Sequence, residues 1–114
     1  MVKEAKLILM YPKPSIVSNL EDRFKQEHLP LIIDNLDGKS YLVHSFVVEP
    51  SPGNDLMPYH RIAEIYFASI VELEAWLGFP AGSCVIEHAF EIPTDGSPLL
   101  LAEEFETVQA YFFY

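Results

Sequence analysis

Residues 61–77 read RIAEIYFASIVELEAWL, a stretch in which a strand pattern passes directly into a helical one. The side chains of the predicted strand alternate between two faces, with Ile62, Glu64 and Tyr66 opposite Ala63, Ile65 and Phe67. Ser69 and Glu72 then form a capping box, the Ser-x-x-Glu pattern that begins a helix. The helix that follows carries Ile70, Leu73 and Leu77 inward, with Trp76 close by.

The start of the chain has the same order of strand and helix. The apolar run 7–11 ends at Pro12 and predicts a strand that is buried on both faces. Ser18 and Glu21 form a second capping box, so we expect Ser18 to be the N-cap of a helix.

The sheet-facing side of this first helix includes a histidine. Helical spacing puts three residues on that side, Leu20, Phe24 and His28. Pro30 has no backbone N–H, so it frees a carbonyl one turn back, close to His28. We expect the helix to kink there and continue to about Leu36.

Two further strands complete the pattern. Residues 41–48 predict a strand with one face made of Leu42, His44, Phe46 and Val48. A short helical segment at 83–90 precedes a fourth strand that begins at Leu99. The order β-α-β-β-α-β is ferredoxin-like and predicts an α+β fold, a four-stranded antiparallel sheet with helices on one face.

The second face of this sheet predicts a homodimer. A solvated face should be polar, yet strands one, two and four carry apolar side chains on both sides. Two such sheets packed face to face would remove that surface from water. At ~25 cal/mol per Å² of apolar area, several hundred Å² would offset much of the cost of association.

The composition and the charge of the chain indicate how many domains, which partners and which location to expect. The 114 residues are half apolar, enough for one domain over 1–114. The net charge is -10, and no Lys or Arg follows Arg61, so we expect neither nucleic acid nor a membrane as a partner. No apolar run approaches the ~20 residues of a membrane span, and the first residues do not form a signal peptide. The expected location is cytoplasmic, and the single Cys84 permits no internal disulfide.

Four segments together resemble the EthD-like family, named for ethyl tert-butyl ether degradation. They are His28-Leu29-Pro30-Leu31, Ala63-Glu64-Ile65-Tyr66-Phe67, Phe79-Pro80-Ala81-Gly82 and Leu99-Leu100-Leu101-Ala102-Glu103-Glu104. The resemblance implies a dimeric α/β barrel and a role near the catabolism of small organic compounds. It covers about the first 106 residues, so 107–114 is a C-terminal extension. Because that extension ends in four aromatic residues, we expect it to lie against a partner subunit or to lengthen a sheet edge.

Two residues are the candidates for catalysis. The imidazole of His28 can exchange protons near neutral pH, although it could equally be a core histidine bonded to the freed carbonyl. Glu64 lies among apolar neighbours, where a carboxylate is costly unless it is paired. It could serve as a general base, or it could be a structural partner of Arg61, of His44 or of a second subunit.

Aromatic and polar residues around His28 predict a ligand pocket. Its expected members are Tyr11, Phe24, His44, Phe46, Tyr66, Phe67 and Trp76. No cofactor is expected, because phosphate-binding and dinucleotide motifs are missing from the sequence. Cys84 and His88 have the i, i+4 spacing of a metal pair but no third ligand close by in sequence, so no metal is expected either.

Three readings of function remain open. The chain could be a cofactor-independent enzyme that moves a proton, or oxygenates, a small cyclic or aromatic metabolite. It could be a non-catalytic auxiliary protein that binds such a molecule in the same pocket. The third reading is haem binding, for which His28 or His88 would be the ligand. Substrate and reaction type are not encoded in any motif of the sequence.

Overall fold

Four strands and four helices make up the computed structural model, which describes residues 3–47, 58–94 and 96–107. In chain order they are β1 (Glu4–Pro12), α1 (Val17–Arg23), a π-helical turn (Phe24–His28), α2 (Leu29–Asp34), β2 (Tyr41–Phe46), β3 (Tyr59–Phe67), α3 (Ile70–Gly78), α4 (Pro80–Ala89) and β4 (Leu99–Phe105). The predicted ferredoxin-like order is confirmed. Val48 and the aromatic end of the chain lie outside the described residues.

The strands form one antiparallel sheet in the order β2-β3-β1-β4. β1 is central, and its Ile8 pairs with Glu64 of β3 and with Leu101 of β4. Burial alternates strictly along β1 and from Arg61 to the end of β3, because the helices cover only one face of the sheet. The prediction that β1 is buried on both faces is therefore wrong for the single chain.

The core lies between the helices and the covered face of the sheet. The sheet contributes Ala5, Leu7, Leu9, Tyr11, Ala63, Ile65 and Phe67, and the helices contribute Leu20, Phe24, Ile32, Leu73, Trp76, Val85 and Ala89. Two polar residues are also fully buried here, His28 and Arg61. A polar side chain is stable in such a core only when it is hydrogen-bonded, so these two residues indicate where chemistry is concentrated.

Of the two predicted N-caps, Ser69 is confirmed and Ser18 is not. The Ser69 side chain accepts a hydrogen bond from the Glu72 backbone N–H at 3.2 Å. The predicted Ser18 cap is wrong, because α1 begins at Val17, two residues earlier than predicted, with Ile16 as its N-cap. The backbone carbonyl of Ile16 instead receives the N–H of Asn19 at 3.2 Å, which closes the first turn without a side chain.

Pro30 is accommodated by the π-helical turn that precedes it. The backbone N–H of Leu29 donates to the carbonyl of Phe24, five residues back, and α2 then runs through Pro30 to Asp34. A π turn takes one extra residue into the helix, so the chain can continue although Pro30 donates no hydrogen bond. The predicted continuation beyond Pro30 is confirmed, and the helix ends two residues before Leu36.

α3 and α4 meet at a tight corner. Phe79 ends α3 and also caps the start of α4, so α4 begins at Pro80 rather than at the predicted Ser83. The indole Nε1–H of Trp76 donates to the backbone carbonyl of Asn35 at 2.9 Å, which joins this corner to the end of α2. Gly82 lies against the Trp76 backbone, where a Cβ atom would overlap the carbonyl oxygen and approach the carbonyl carbon to 2.7 Å.

We expect Gly82→Ala to lower the free energy of unfolding by about 1–3 kcal/mol, since the backbone of α3 would have to move. Gly78→Ala is the matched control, because a Cβ there meets no atom within 4 Å, and its effect should stay within about 1 kcal/mol. Chemical denaturation of both variants at one protein concentration is the measurement. Equal stability of the two would contradict this account of the corner.

Candidate functional site

His28 forms a buried pair with Tyr11. The π-helical turn directs His28 at the sheet, and its Nε2 is hydrogen-bonded to the Tyr11 hydroxyl. Both residues are 0% exposed. The Phe24 ring packs against both, with ring centroids 5.4 Å from Tyr11 and 5.6 Å from His28. The predicted association of His28, Tyr11 and Phe24 is present in the structure.

His88 extends this pair towards the surface. The Nδ1 atoms of His28 and His88 are 2.9 Å apart, and the two rings stack with centroids 5.1 Å apart. His88 is half-buried in α4 and lines a groove of about 300 Å³ with Leu31, Cys84, Glu87 and Glu91. A continuous chain of hydrogen bonds therefore runs from the core, through His28, to the outer face of α4.

His28 and Tyr11 are both uncharged near pH 7. Burial, and to a smaller extent the neighbouring His88, lowers the pKa of His28 to about 3. Burial also raises the pKa of Tyr11. A neutral His28 carries one ring hydrogen, so it donates through one nitrogen and accepts through the other. The hydrogen can sit on Nδ1, while Tyr11 donates to Nε2, or on Nε2, while His88 donates to Nδ1.

A second buried cluster, centred on Arg61, lies on the other side of Phe24. The guanidinium of Arg61 pairs with both carboxylate oxygens of Glu21, at 2.7 and 3.2 Å. It is held between the rings of Phe24 and Phe46, 4.3 and 4.0 Å from their centroids. It also donates to Nδ1 of His44 at 2.8 Å. A fully buried arginine is stable only when paired in this way.

Glu21 is the acidic centre of that cluster. Its carboxylate also contacts Nε2 of His60 at 2.7 Å. Burial alone would raise the pKa of Glu21, but the hydrogen bonds with Arg61 and His60 lower it below its usual value. Sequence analysis did not select the Arg61–Glu21 pair as a site. The available signal was that Arg61 shares its strand face with Ala63 and Ile65, which are buried.

Glu64 and Tyr66 lie on the opposite face of the sheet from His28. Because side chains alternate along β3, both point away from the helices. Glu64 pairs with Lys6 at 3.1 Å and accepts a hydrogen bond from the Tyr66 hydroxyl at 3.1 Å. Tyr66 also stacks on Tyr41, with centroids 4.6 Å apart. The structure therefore does not bring Glu64 or Tyr66 to His28, and the partner of Glu64 is neither Arg61 nor His44.

The remaining predicted pocket residues lie at three separate places. Phe67 and Trp76 pack against each other inside the core, with centroids 5.4 Å apart. Phe46 is 51% exposed and covers Arg61. Among these residues only His44 borders a cleft of about 430 Å³ between α2 and β2. The other residues that line this α2–β2 cleft are Leu29, Ile33, Leu36, Asp37, Ser40, Tyr41 and Leu42.

The described residues offer no fitting site for a metal ion or for haem. Within residues 3–47, 58–94 and 96–107, no group of three or more His, Cys, Asp or Glu side chains could hold a metal ion. Haem does not fit at His28, because both ring nitrogens are already hydrogen-bonded inside the core. It fits poorly at His88, since Glu87 and Glu91 line the groove and would repel the haem propionates. No helix in the described part of the chain is long and apolar enough to span a membrane.

Comparison with known proteins identifies solved structures that have a similar fold. No protein-family model and no curated protein matches the sequence. An ethyl tert-butyl ether degradation (EthD) family protein from Bacillus halodurans has a similar structure, with a TM-score of 0.77 at 18% identity over 90% of this chain and 99% of that one. A hydroxynitrile lyase from Passiflora edulis has a TM-score of 0.67 at 10% identity, over 94% and 97% of the two chains. A dimeric ferredoxin-like protein from Jannaschia has a TM-score of 0.61 at 14% identity, over 92% and 99%. The ferredoxin-like fold of the single chain, which the EthD resemblance implies, is confirmed.

The depressed pKa of His28 predicts a specific acid sensitivity. Below its unfolded-state pKa of 6.5 the unfolded chain gains a proton that folded His28 refuses until about 3, so its stabilising contribution is present above 6.5 and declines as the pH falls. Between about pH 7 and about pH 5, wild type should lose about 2 kcal/mol more unfolding free energy than His28→Gln. The measurement is urea denaturation of both proteins at matched concentration. Equal losses would show that folded His28 takes up a proton in this range.

Proposed function

We propose that this chain is a homodimeric protein that binds a small, mostly apolar molecule in the α2–β2 cleft. The proposal rests on the volume and the lining of this cleft. Its volume of about 430 Å³ suits a small molecule, since ligand pockets occupy roughly 300–1,000 Å³. Its walls are mainly aliphatic, and a few polar side chains, including His44, border them. A pocket with apolar walls and few polar groups gains affinity from burial and orientation from hydrogen bonds.

The homodimer is proposed from the uncovered face of the sheet. This open face carries apolar side chains on all four strands, among them Tyr41, Val43, Ile8, Leu99 and Leu101. Tyr41, Val43, Leu99 and Leu101 each remain more than two-fifths exposed. An apolar sheet face of this extent is typical of an interface. The structurally similar Jannaschia protein is described as dimeric, and pairing of two open faces would give the α/β barrel that the EthD resemblance implies.

A second candidate function is cofactor-independent proton transfer. It is favoured by the hydrogen-bonded chain Tyr11–His28–His88, which holds the His88 imidazole at the groove on α4, where it can exchange a proton with a bound molecule. The fold is compatible with such chemistry, because the Passiflora edulis protein with a similar structure is a hydroxynitrile lyase. In this role His88 would meet the substrate and His28 would position it, while Glu64 would belong to the dimer interface rather than to the site.

Ligand binding is tested by filling the cleft. Ile33 borders it and is 60% exposed, so Ile33→Trp should occupy the space with little change in the core. Native mass spectrometry of purified wild type should show a co-purified small molecule that Ile33→Trp has lost. Val71→Trp is the matched control, because Val71 is 70% exposed on α3 and does not line the cleft. Equal retention by Ile33→Trp and Val71→Trp would remove the cleft as the binding site.

The dimer is tested with one charge on the open face. We expect wild type to behave in size-exclusion chromatography with light scattering as about twice its 13.0 kDa. Leu101→Lys places a cation on the open face, beside Ile8 of β1, and should give a monomer, since an unpaired charge is costly to bury. Val71→Lys, on the far side of the helical layer, should leave the dimer intact. A wild-type monomer at micromolar concentration would contradict the proposed assembly.

A further inference from the structure

The hydrogen bond between Arg61 and His44 determines which ring nitrogen of His44, a residue that lines the α2–β2 cleft, carries a hydrogen atom. Arg61 contacts Nδ1 of His44 through a guanidinium nitrogen, at 2.8 Å. A guanidinium can only donate hydrogen bonds, so Nδ1 of His44 must be the acceptor. A neutral imidazole that accepts at Nδ1 carries its hydrogen on Nε2. The free edge of the His44 ring therefore presents an N–H donor.

The contacts of Arg61 hold its side chain in place, so its hydrogen bond to His44 is maintained. It is 0% exposed, paired with Glu21 through two hydrogen bonds, and enclosed by the rings of Phe24 and Phe46. Its guanidinium stays charged at every accessible pH. If Nδ1 of His44 also carried a hydrogen, that N–H would point at an N–H of Arg61, and no hydrogen bond could form between them. The ring of His44, exposed on the edge strand β2, is thus held with Nε2 as its donor.

The rest of the α2–β2 cleft disfavours negative charge. Asp37 is the only charged residue that lines it among the described residues. The backbone N–H groups of Lys39 and Ser40 donate to the Asp37 carboxylate at 2.8 and 3.0 Å, and these bonds, that of Lys39 first, lower the pKa of Asp37. A carboxylate ligand would meet this negative charge without a cation that lines the cleft to balance it.

We propose that Arg61 and His44 act together as a specificity device that selects uncharged ligands with a carbonyl oxygen. His44 contacts the ligand and donates from Nε2 to the oxygen, and Arg61 is the positioning residue that holds the hydrogen on that nitrogen. The ligand class is a small cyclic or aromatic ketone or aldehyde, whose apolar body packs on Leu29, Ile33 and Leu42. This inference rests on the proposed function of the cleft and adds the chemistry that the cleft recognises.

The first test is independent of any ligand. Long-range ¹H–¹⁵N correlation spectra of the ¹⁵N-labelled full chain at neutral pH should show the His44 ring as the Nε2–H tautomer. Replacing the buried ion pair by uncharged side chains, in the double variant Glu21→Gln/Arg61→Met, should release the ring into a mixture of tautomers. An Nδ1–H tautomer, or a doubly protonated ring, in wild type would overturn the inference. A double variant that fails to fold would leave the wild-type spectrum to decide.

The second test uses three probes with similar six-membered rings. Cyclohexanone has the carbonyl oxygen, methylenecyclohexane replaces it by a carbon, and cyclohexanecarboxylate adds a negative charge. By ligand-observed NMR, wild type should bind the ketone about threefold to tenfold more tightly than the hydrocarbon, the contribution of one hydrogen bond. The carboxylate should not bind. His44→Phe should remove the preference for the ketone over the hydrocarbon, whereas His44→Gln, which keeps an N–H donor, should retain part of it.

The outcomes separate this inference from the proposed function. Binding of none of the probes would refute the cleft as a ligand site and the proposed function with it. Equal binding of ketone and hydrocarbon, or a ketone preference that survives His44→Phe, would refute the inference while leaving the binding function in place. Tight binding of the carboxylate would refute the charge argument and with it the proposed ligand class.

Discussion

One backbone hydrogen bond, from the Leu29 N–H to the carbonyl of Phe24, positions both buried polar clusters. In a regular α-helix, residues four apart drift by about 40° around the axis, so a long row of them turns away from the sheet. The π-helical turn adds one residue to a turn of the helix and counteracts this drift. Four residues at i+4 spacing are consequently all buried: Leu20, Phe24, His28 and Ile32. The turn thus helps to keep Ile32 on the same side of the helix as Leu20, Phe24 and His28.

Phe24 divides the polar interior into two parts that have different electrostatics. On one side, Tyr11 and His28 are buried without any countercharge, so both stay neutral. On the other side, the charge of Arg61 is balanced by Glu21 and spread over two aromatic faces. The first arrangement joins two neutral groups by a hydrogen bond, and the second suits rigid orientation of a neighbour. The same ring packs against both clusters, so the two are mechanically connected although their chemistry is separate.

The single chain leaves its sheet half covered. The helices bury one face, and the open face combines apolar side chains with the Lys6–Glu64 pair. In the proposed dimer this pair would be enclosed by a second sheet, where the Glu64 carboxylate and the Tyr66 hydroxyl are already satisfied by each other and by Lys6. An interface that contains a pre-formed pair avoids the cost of an isolated buried charge. The proposed ligand cleft lies at the edge strand β2, where Tyr41 borders both the cleft and the open face.

The sequence by itself determined the element order, the sheet-facing phase of the first helix, the Ser69 capping box and the two faces of β2 and β3. These follow from periodicity and local hydrogen bonding, which act over a few residues. It did not reveal the partner of His28 or the isolation of Glu64 from the site, because His88 is 60 residues from His28 and Lys6 is 58 residues from Glu64. Only the tertiary structure decided those pairings, together with the cleft at His44 and the burial of Arg61. A side-chain period says which face a residue occupies, but the packing of distant elements determines what it meets there.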